Sequence, residues 1–219
     1  MMYRQLNESE KEVLIKNGCS ADNWENIRVK EDFNPAYVKN VEFSGNISLG
    51  TFTRDFDQAG GFKVHSGIFD VRLHNVSVGD DCYIHSVHNY IANYNISNDV
   101  FIENTNLIVV DGESTFGNGV RVPVMNETGG REVPIYDYLC APLAYILTMY
   151  RHDTELVEKL EEMINVYTEK QKSSVGYIGC NVKIVNCGSI KNVRIGDYAT
   201  LGGVSKLNNG SINSNRHAP

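Results

Sequence analysis

The chain is short of several things, and each shortage excludes a class of protein. Its 219 residues include five cysteines, an odd number without Cys-x-x-Cys spacing. That argues against a disulfide framework and against a zinc site, and it predicts reduced thiols in a cytoplasmic protein. Positive charge is also scarce, with 20 Lys and Arg against 27 Asp and Glu and a net charge of −7. A nucleic-acid track needs clustered cations, so neither nucleic acid nor an anionic membrane surface is an expected partner. No apolar run approaches the roughly 18 residues of a membrane-spanning helix. The opening residues, MMYRQLNESEKE, lack the apolar core of a secretory signal. There is no Walker loop, no His-Glu-x-x-His and no Ser-His-Asp set, and Gly117-Asn118-Gly119 lacks the strand–turn–helix setting of a dinucleotide fingerprint.

What the chain does have is a period of six. Val78, Ile84, Tyr90, Ile96, Ile102 and Ile108 recur at that interval, and Val78–Ile84 matches Ile96–Ile102 eighteen residues on. A helix repeats at 3.6 and a strand at 2, so six nested in eighteen points to short strands separated by corners. Further copies begin at Phe43, Phe116, Ile178 and Ile195. Gly, Asn and Asp crowd the corners, where positive φ or side-chain-to-backbone bonds are required. The pattern predicts a mainly β, parallel β-helix of about seven coils, built as a repeat solenoid.

Four segments follow. Residues 1–26 read as a helical cap, with Asn7 or Ser9 as N-cap and Gly18 as the stop. Coils occupy 27–134, with Thr51–Gly61 a loop thrown out at a corner. A helical hairpin is inserted at 135–176. Pro142 opens its first helix, whose face is Leu143, Ile146, Leu147 and Tyr150. Asp153 caps the second, whose expected stripe is Leu156, Leu160, Met163, Ile164 and Tyr167. Coils resume at 177–219, and the one opening at Ile212 is left incomplete. The chain therefore reads as part of something longer, or as one completed by a partner chain.

The hexads resemble those of the left-handed parallel β-helix superfamily, which holds trimeric sugar-nucleotide acyltransferases and the C-terminal domains of sugar-1-phosphate nucleotidyltransferases. More closely, MYRQLNESEKEVLIKNGCSADNW, NPAYVKNVEFSGNISLG and NETGGRE with its helical hairpin look like a group of uncharacterised bacterial hexapeptide-repeat proteins, whose members are longer. The resemblance implies left-handed coils, which spacing alone does not give. It implies a homo-oligomer, with a trimer as one form. It also implies a transferase-like protein that binds or modifies a nucleotide sugar or phosphorylated sugar, related to the acyltransferases or nucleotidyltransferases. No cofactor is expected to be bound, and acyl-CoA or acyl-carrier protein would be the co-substrate of an acyl transfer. The alternative is a non-catalytic scaffold or oligomerisation module.

Two places carry candidate chemistry. The stretch His85–Asn89, HSVHN, resembles the His-x-x-His-acid pattern of those acyltransferases, with His85 as general base. Asn89 stands where an acid would orient the base, and His85 lies one position past the inward residue. The second place is NETGGR. Asn126, Gly129, Gly130 and Arg131 are expected to bind an anionic substrate, with Glu127 as acid or base, in a cleft where coils give way to helices. The competing structural account is a tight turn closed by a Glu127–Arg131 ion pair.

Overall fold

The computed structural model describes residues 3–124 and 129–219. In chain order the elements are β1 (Tyr3–Gln5), α1 (Glu8–Lys16), β2 (Ser20–Ala21), β3 (Ile27–Lys30), β4 (Val38–Leu49), β5 (Asp55–Asp57), β6 (Lys63–His65) and β7 (Gly67–Val78). Then come β8 (Tyr83–Ile96), β9 (Phe101–Val109), β10 (Arg121–Pro123), β11 (Glu132–Pro134), α2 (Ala141–Met149) and α3 (Thr154–Gln171). The chain continues through β12 (Gly176–Ile178), β13 (Lys183–Val185), β14 (Ser189–Ile195), β15 (Thr200–Gly202) and β16 (Lys206–Ile212).

The protein is mainly β, and its principal sheet has 12 strands. Within it β8 bonds β12, β12 bonds β14, β14 bonds β9, and β9 bonds β8, all in parallel. These four close into a barrel. The others are bonded outside it: β7 on β8, β4 on β7, β3 and β2 on β4, β1 antiparallel on β3, β13 on β9, β15 on β13, and β16 on β14. This topology corrects the expectation of a left-handed β-helix of about seven coils. Seven stacked coils would leave an open ladder, each coil bonded only to those before and after it. Here the chain that returns after the helical insertion pairs with both β8 and β9, and the ladder closes on itself.

The six-residue period has a definite physical basis within this topology. Ile84 pairs with Ile102 and Val78 with Ile96, eighteen residues apart, in parallel register. Val78, Ile84, Ile96, Ile102 and Ile108 are all buried in one core with Ile68, Ile91, Ile178, Ile184, Ile190 and Ile195. Tyr90 is the exception, at 41% exposed, because the register slips between Val87 and Tyr90 and Ile91 turns inward instead. At the corners Asp81, Asp99 and Asn181 take φ of 53°, 59° and 56°. Amide side chains stitch one turn to the next, as where Asp80 N–H donates to Asn98 Oδ1 at 2.8 Å. Tyr94 is fully buried, and its hydroxyl donates to the Val193 carbonyl at 2.7 Å.

Helix α1 is capped by Asn7, whose side chain accepts from Glu10 N–H while Glu10 accepts from Asn7 N–H. Residues Thr51–Gly61 are not a bare loop. Asp55–Asp57 pairs with Lys63–His65 as an antiparallel hairpin, and its Phe56 ring lies 5.4 Å from that of Phe101. The insertion has a small core of its own, formed by Val133, Leu147, Val157 and Ile164. Asp153 caps α3 as expected, but Leu156 and Met163 face solvent. Of the expected stripe Ile164 is buried and Leu160 packs on the small core, and the buried side continues through Val157 and Thr168. No described helix is long and apolar enough to cross a membrane.

Candidate functional site

His85 stands on the outer face of β8. Its Nε2 is 3.4 Å from Asp70 Oδ2 and its Nδ1 is 3.8 Å from Glu103 Oε1. Both acids come from neighbouring strands rather than from position 89. Glu103 lies beside His85 by strand register, and Asp70 sits in a corner at φ 53°. The Phe69 and Tyr83 rings flank the imidazole at 6.2 and 5.8 Å. A general base must present one nitrogen lone pair to its substrate. Carboxylates of two neighbouring strands thus stand near the imidazole, and Ser86 Oγ lies 3.3 Å from Nδ1. Asn89 meanwhile donates to Asn106 at 2.8 Å, and His88 bonds Asn104 at 2.9 Å.

The second candidate lies in the connection between β10 and β11, which form an antiparallel pair. Asn126 and Glu127 fall outside the described residues. Gly129 and Gly130 have φ of 90° and 96°, the left-handed region that a tight reversal requires. The Gly130 N–H donates to Glu132 Oε1 at 2.8 Å, and this backbone bond holds the Glu132 carboxyl below its ordinary value. Arg131 is exposed. The three described residues thus form a hairpin connection.

A cleft does exist where strands meet the insertion, but other residues make it. One chamber, of about 330 Å³, is lined by Asp137, Tyr138 and Tyr167 from the insertion and by Tyr177, Arg194, Asp197 and Ser214 from the strands. A smaller one of about 270 Å³ shares Asp137 and Asn213 and adds Phe116, Asn118 and Tyr136. Asp137 organises both. One carboxylate oxygen accepts from Tyr167 Oη at 2.7 Å and the other from Ser211 Oγ. Its N–H donates to Asn118 Oδ1 at 2.9 Å, and its carbonyl accepts from Asn213 at 3.4 Å. Burial works to raise this carboxyl, but the hydroxyl and amide donors and the Arg194 charge outweigh it, and it sits below the ordinary range. Burial and the adjacent Asp137 charge push the Tyr167 phenol up, so it stays a donor.

The rings of Tyr136, Tyr138 and Tyr167 pack edge to face at 5.3–6.3 Å, and Tyr138 is 70% exposed at the rim. Arg194 bonds Gln171 through Nη1 alone, so Nε and Nη2 have no protein partner among the described residues. Asp197 accepts from Cys180 N–H with Oδ1. Ser214 Oγ is buried without a hydrogen-bond partner, a group that costs about 1–3 kcal/mol when left unsatisfied.

A wider groove of about 570 Å³ runs past Arg72, His74, Tyr90 and Lys191. It is the larger hollow, yet its charges are already taken. Arg72 pairs with Glu42 at 2.7 Å and Lys191 with Asp111 at 2.5 Å, while both His74 nitrogens are engaged by Ser44 and Asn75. Neither His85 nor Gly129, Gly130 or Arg131 lines the Asp137 cleft. The residues that do line it were missed. The alternation Tyr136-Asp137-Tyr138 at the mouth of the insertion was the one local signal that pointed there.

Comparison with known proteins adds a relative and a family. A protein of Treponema pallidum (strain Nichols), described as an uncharacterized protein, is 27% identical over 228 residues. The alignment takes in 99% of this chain and 31% of the relative, so the chain spans about a third of that protein's length. No solved structure matches. The family that matches is a domain of unknown function rather than a hexapeptide-repeat family, which overturns the resemblance to hexapeptide-repeat proteins. The acyltransferase description rested on that resemblance and falls with it. With residues 3–219 matched, the chain belongs to the family described as Domain of unknown function (DUF4954).

Proposed function

We propose that this chain is a binding module whose ligand, a phosphorylated sugar or nucleotide sugar, sits in the cleft over Asp137. One observation carries the reading. A guanidinium with two unpaired nitrogens, two carboxylates and three phenol-bearing rings converge there from opposite sides of the insertion boundary. Each has a counterpart in such a ligand. Arg194 offers a forked donor to a phosphate. Asp137 and Asp197 keep lone pairs for sugar hydroxyls, and the tyrosine faces suit the apolar side of a sugar ring or a base. The reading stops at binding and assigns no acyl donor, since His85 does not line the cleft.

The test is a thermal-shift and calorimetric titration with glucose 1-phosphate and UDP-N-acetylglucosamine. A ligand that binds only the native state raises Tm. The expected result is a shift with at least one of them. Arg194→Ala is expected to abolish that shift while moving the ligand-free Tm by no more than a few degrees, because Arg194 is exposed. No shift with either compound overturns the reading.

A further inference from the structure

The outer surface of the strand ladder changes character along its strands. On the first stretch of β4, β7, β8 and β9 it carries Lys39, Phe69, His85 and Glu103, which follow one another by register. Further along, Glu42 of β4 and Arg72 of β7 stand side by side as an ion pair. The last stretch is uncharged over three strands. Ser48, Ser77 and Asn95 stand in register there, and Tyr177 of β12 stands next to Asn95. Arg194 follows on β14, one residue before the Ile195 that pairs with Ile178, so the row ends in the Asp137 cleft.

Beside this row lies a hollow of about 500 Å³, bounded where the insertion leaves and rejoins the strands by Gly112, Ser174 and Val175. No charged side chain lines it among the described residues. Its corner amides are committed to the fold. Asn75 Oδ1 accepts from Asn46 N–H at 3.0 Å, Asn75 Nδ2 donates to Asn93 at 3.3 Å, and Asn93 donates to the Val110 carbonyl at 2.9 Å. The side chains of Ser48, Ser77 and Asn95 on its floor have no hydrogen-bond partner among the described residues. A hydroxyl or an amide both donates and accepts, which matches the hydroxyls of a sugar and gives no grip on a ligand recognised by charge. The Tyr177 ring is held by Ser97 Oγ, which donates to its hydroxyl at 3.1 Å, and it stays 39% exposed as a face for the apolar side of a pyranose.

We propose that this row holds a neutral linear oligosaccharide, with one sugar over Tyr177 and the following ones over Asn95, Ser77 and Ser48. Neighbouring strands lie about 4.8 Å apart, close to the advance of one pyranose in an extended chain, so each sugar meets the next strand. At Arg194 the row opens into the Asp137 cleft, which makes the sugar of the cleft the terminal unit of such a chain. That last assignment alone rests on the phosphosugar reading of the cleft.

The experiment is isothermal titration of the full chain with chitotetraose, cellotetraose and maltotetraose, each beside its disaccharide. At least one tetrasaccharide is expected to bind, about tenfold or more tighter than its disaccharide. Tyr177→Ala and Ser77→Lys are each expected to weaken that binding about tenfold or more, with unchanged circular dichroism. Lys39→Glu, exposed on the first stretch of β4, is expected to leave it unchanged. Arg194→Ala is expected to keep the neutral tetrasaccharide while losing the thermal shift with glucose 1-phosphate. No binding of any of the three tetrasaccharides overturns the proposal. So does a tetrasaccharide that binds no more tightly than its disaccharide, or one whose affinity survives both Tyr177→Ala and Ser77→Lys. Tetrasaccharide binding with no shift from glucose 1-phosphate or UDP-N-acetylglucosamine upholds the row and overturns the reading of the cleft alone.

Discussion

Tyr167 on α3 donates its phenolic proton to Asp137 at 2.7 Å, and the other oxygen of the same carboxylate accepts from Ser211 on β16. One carboxylate thereby ties the helical insertion to the strand ladder. Its proton affinity is lowered in the fold, and that sets how the tie responds to acid.

A carboxyl whose folded pKa is depressed contributes stability that is present above its unfolded value, about 3.9 for aspartate. That contribution is lost as pH falls through the lower folded value. Asp137→Asn should therefore lower the urea midpoint at pH 7 and leave a flatter dependence between about pH 4 and pH 2 than the wild type shows. Urea midpoints measured at pH 7, 5, 3.5 and 2.5 check this. Parallel curves for the two proteins would show that Asp137 is not held below its ordinary range.

Gly176 packs against the face of Tyr94 so closely that an added Cβ would fall 2.4 Å from Cε1 of the ring. Gly176→Ala should cost about 1–3 kcal/mol, the usual range for overpacking a filled core. Tyr94→Phe, which leaves the Val193 carbonyl without its donor, should cost a comparable ~1–3 kcal/mol. Combining Gly176→Ala with Tyr94→Leu should recover part of the loss, because the two side chains contest one space. Guanidinium denaturation of the single and double variants measures the coupling, and simple additivity would show that the contact is not tight.

The thiols should differ sharply in reactivity. Cys82 is fully buried, and desolvation pushes its pKa up to about 12, while Cys19 and Cys187 are also buried. Cys140 is exposed. Only the thiolate attacks a disulfide reagent, so Cys140 should react with DTNB roughly a hundredfold or more faster than Cys82 in the native protein. All five should react once the chain is unfolded in guanidinium. Fast reaction of Cys82 under native conditions would contradict its placement in the core.

Much of the strand pattern was legible because corners and cores impose strict side-chain requirements. Ile84 and Ile102 announce their pairing eighteen residues apart, and Asp81 and Asp99 announce the left-handed corners. Barrel closure was not legible, because no local property of Ile178 or Ile190 says that each must bond partners some 80 residues earlier. The orientation of α3 was only partly legible, for a related reason. Leu156 and Val157 are both apolar, and only the position of the small core around Val133 decides which of them is buried. The surroundings of the candidate residues were illegible for a different reason. His85 was picked by residue type, but its partners Asp70 and Glu103 come from adjacent strands. Arg194 and Asp137 are far apart in the chain and meet only in the folded molecule.

Barrel closure also has a consequence in time. Of the four strands in the ring, β8 and β9 leave the ribosome well before β12 and β14, with the whole helical insertion between them. During synthesis the growing chain therefore holds an open parallel sheet whose bonding edges at β8 and β9 have no cover until β12, β13 and β14 emerge. The antiparallel bridge between Ser114 and Ser173 pins the two ends of the insertion together, so the helices can fold as a closed excursion while that edge waits. Translation rate across the insertion thus sets how long a sticky sheet edge stays exposed in the nascent protein.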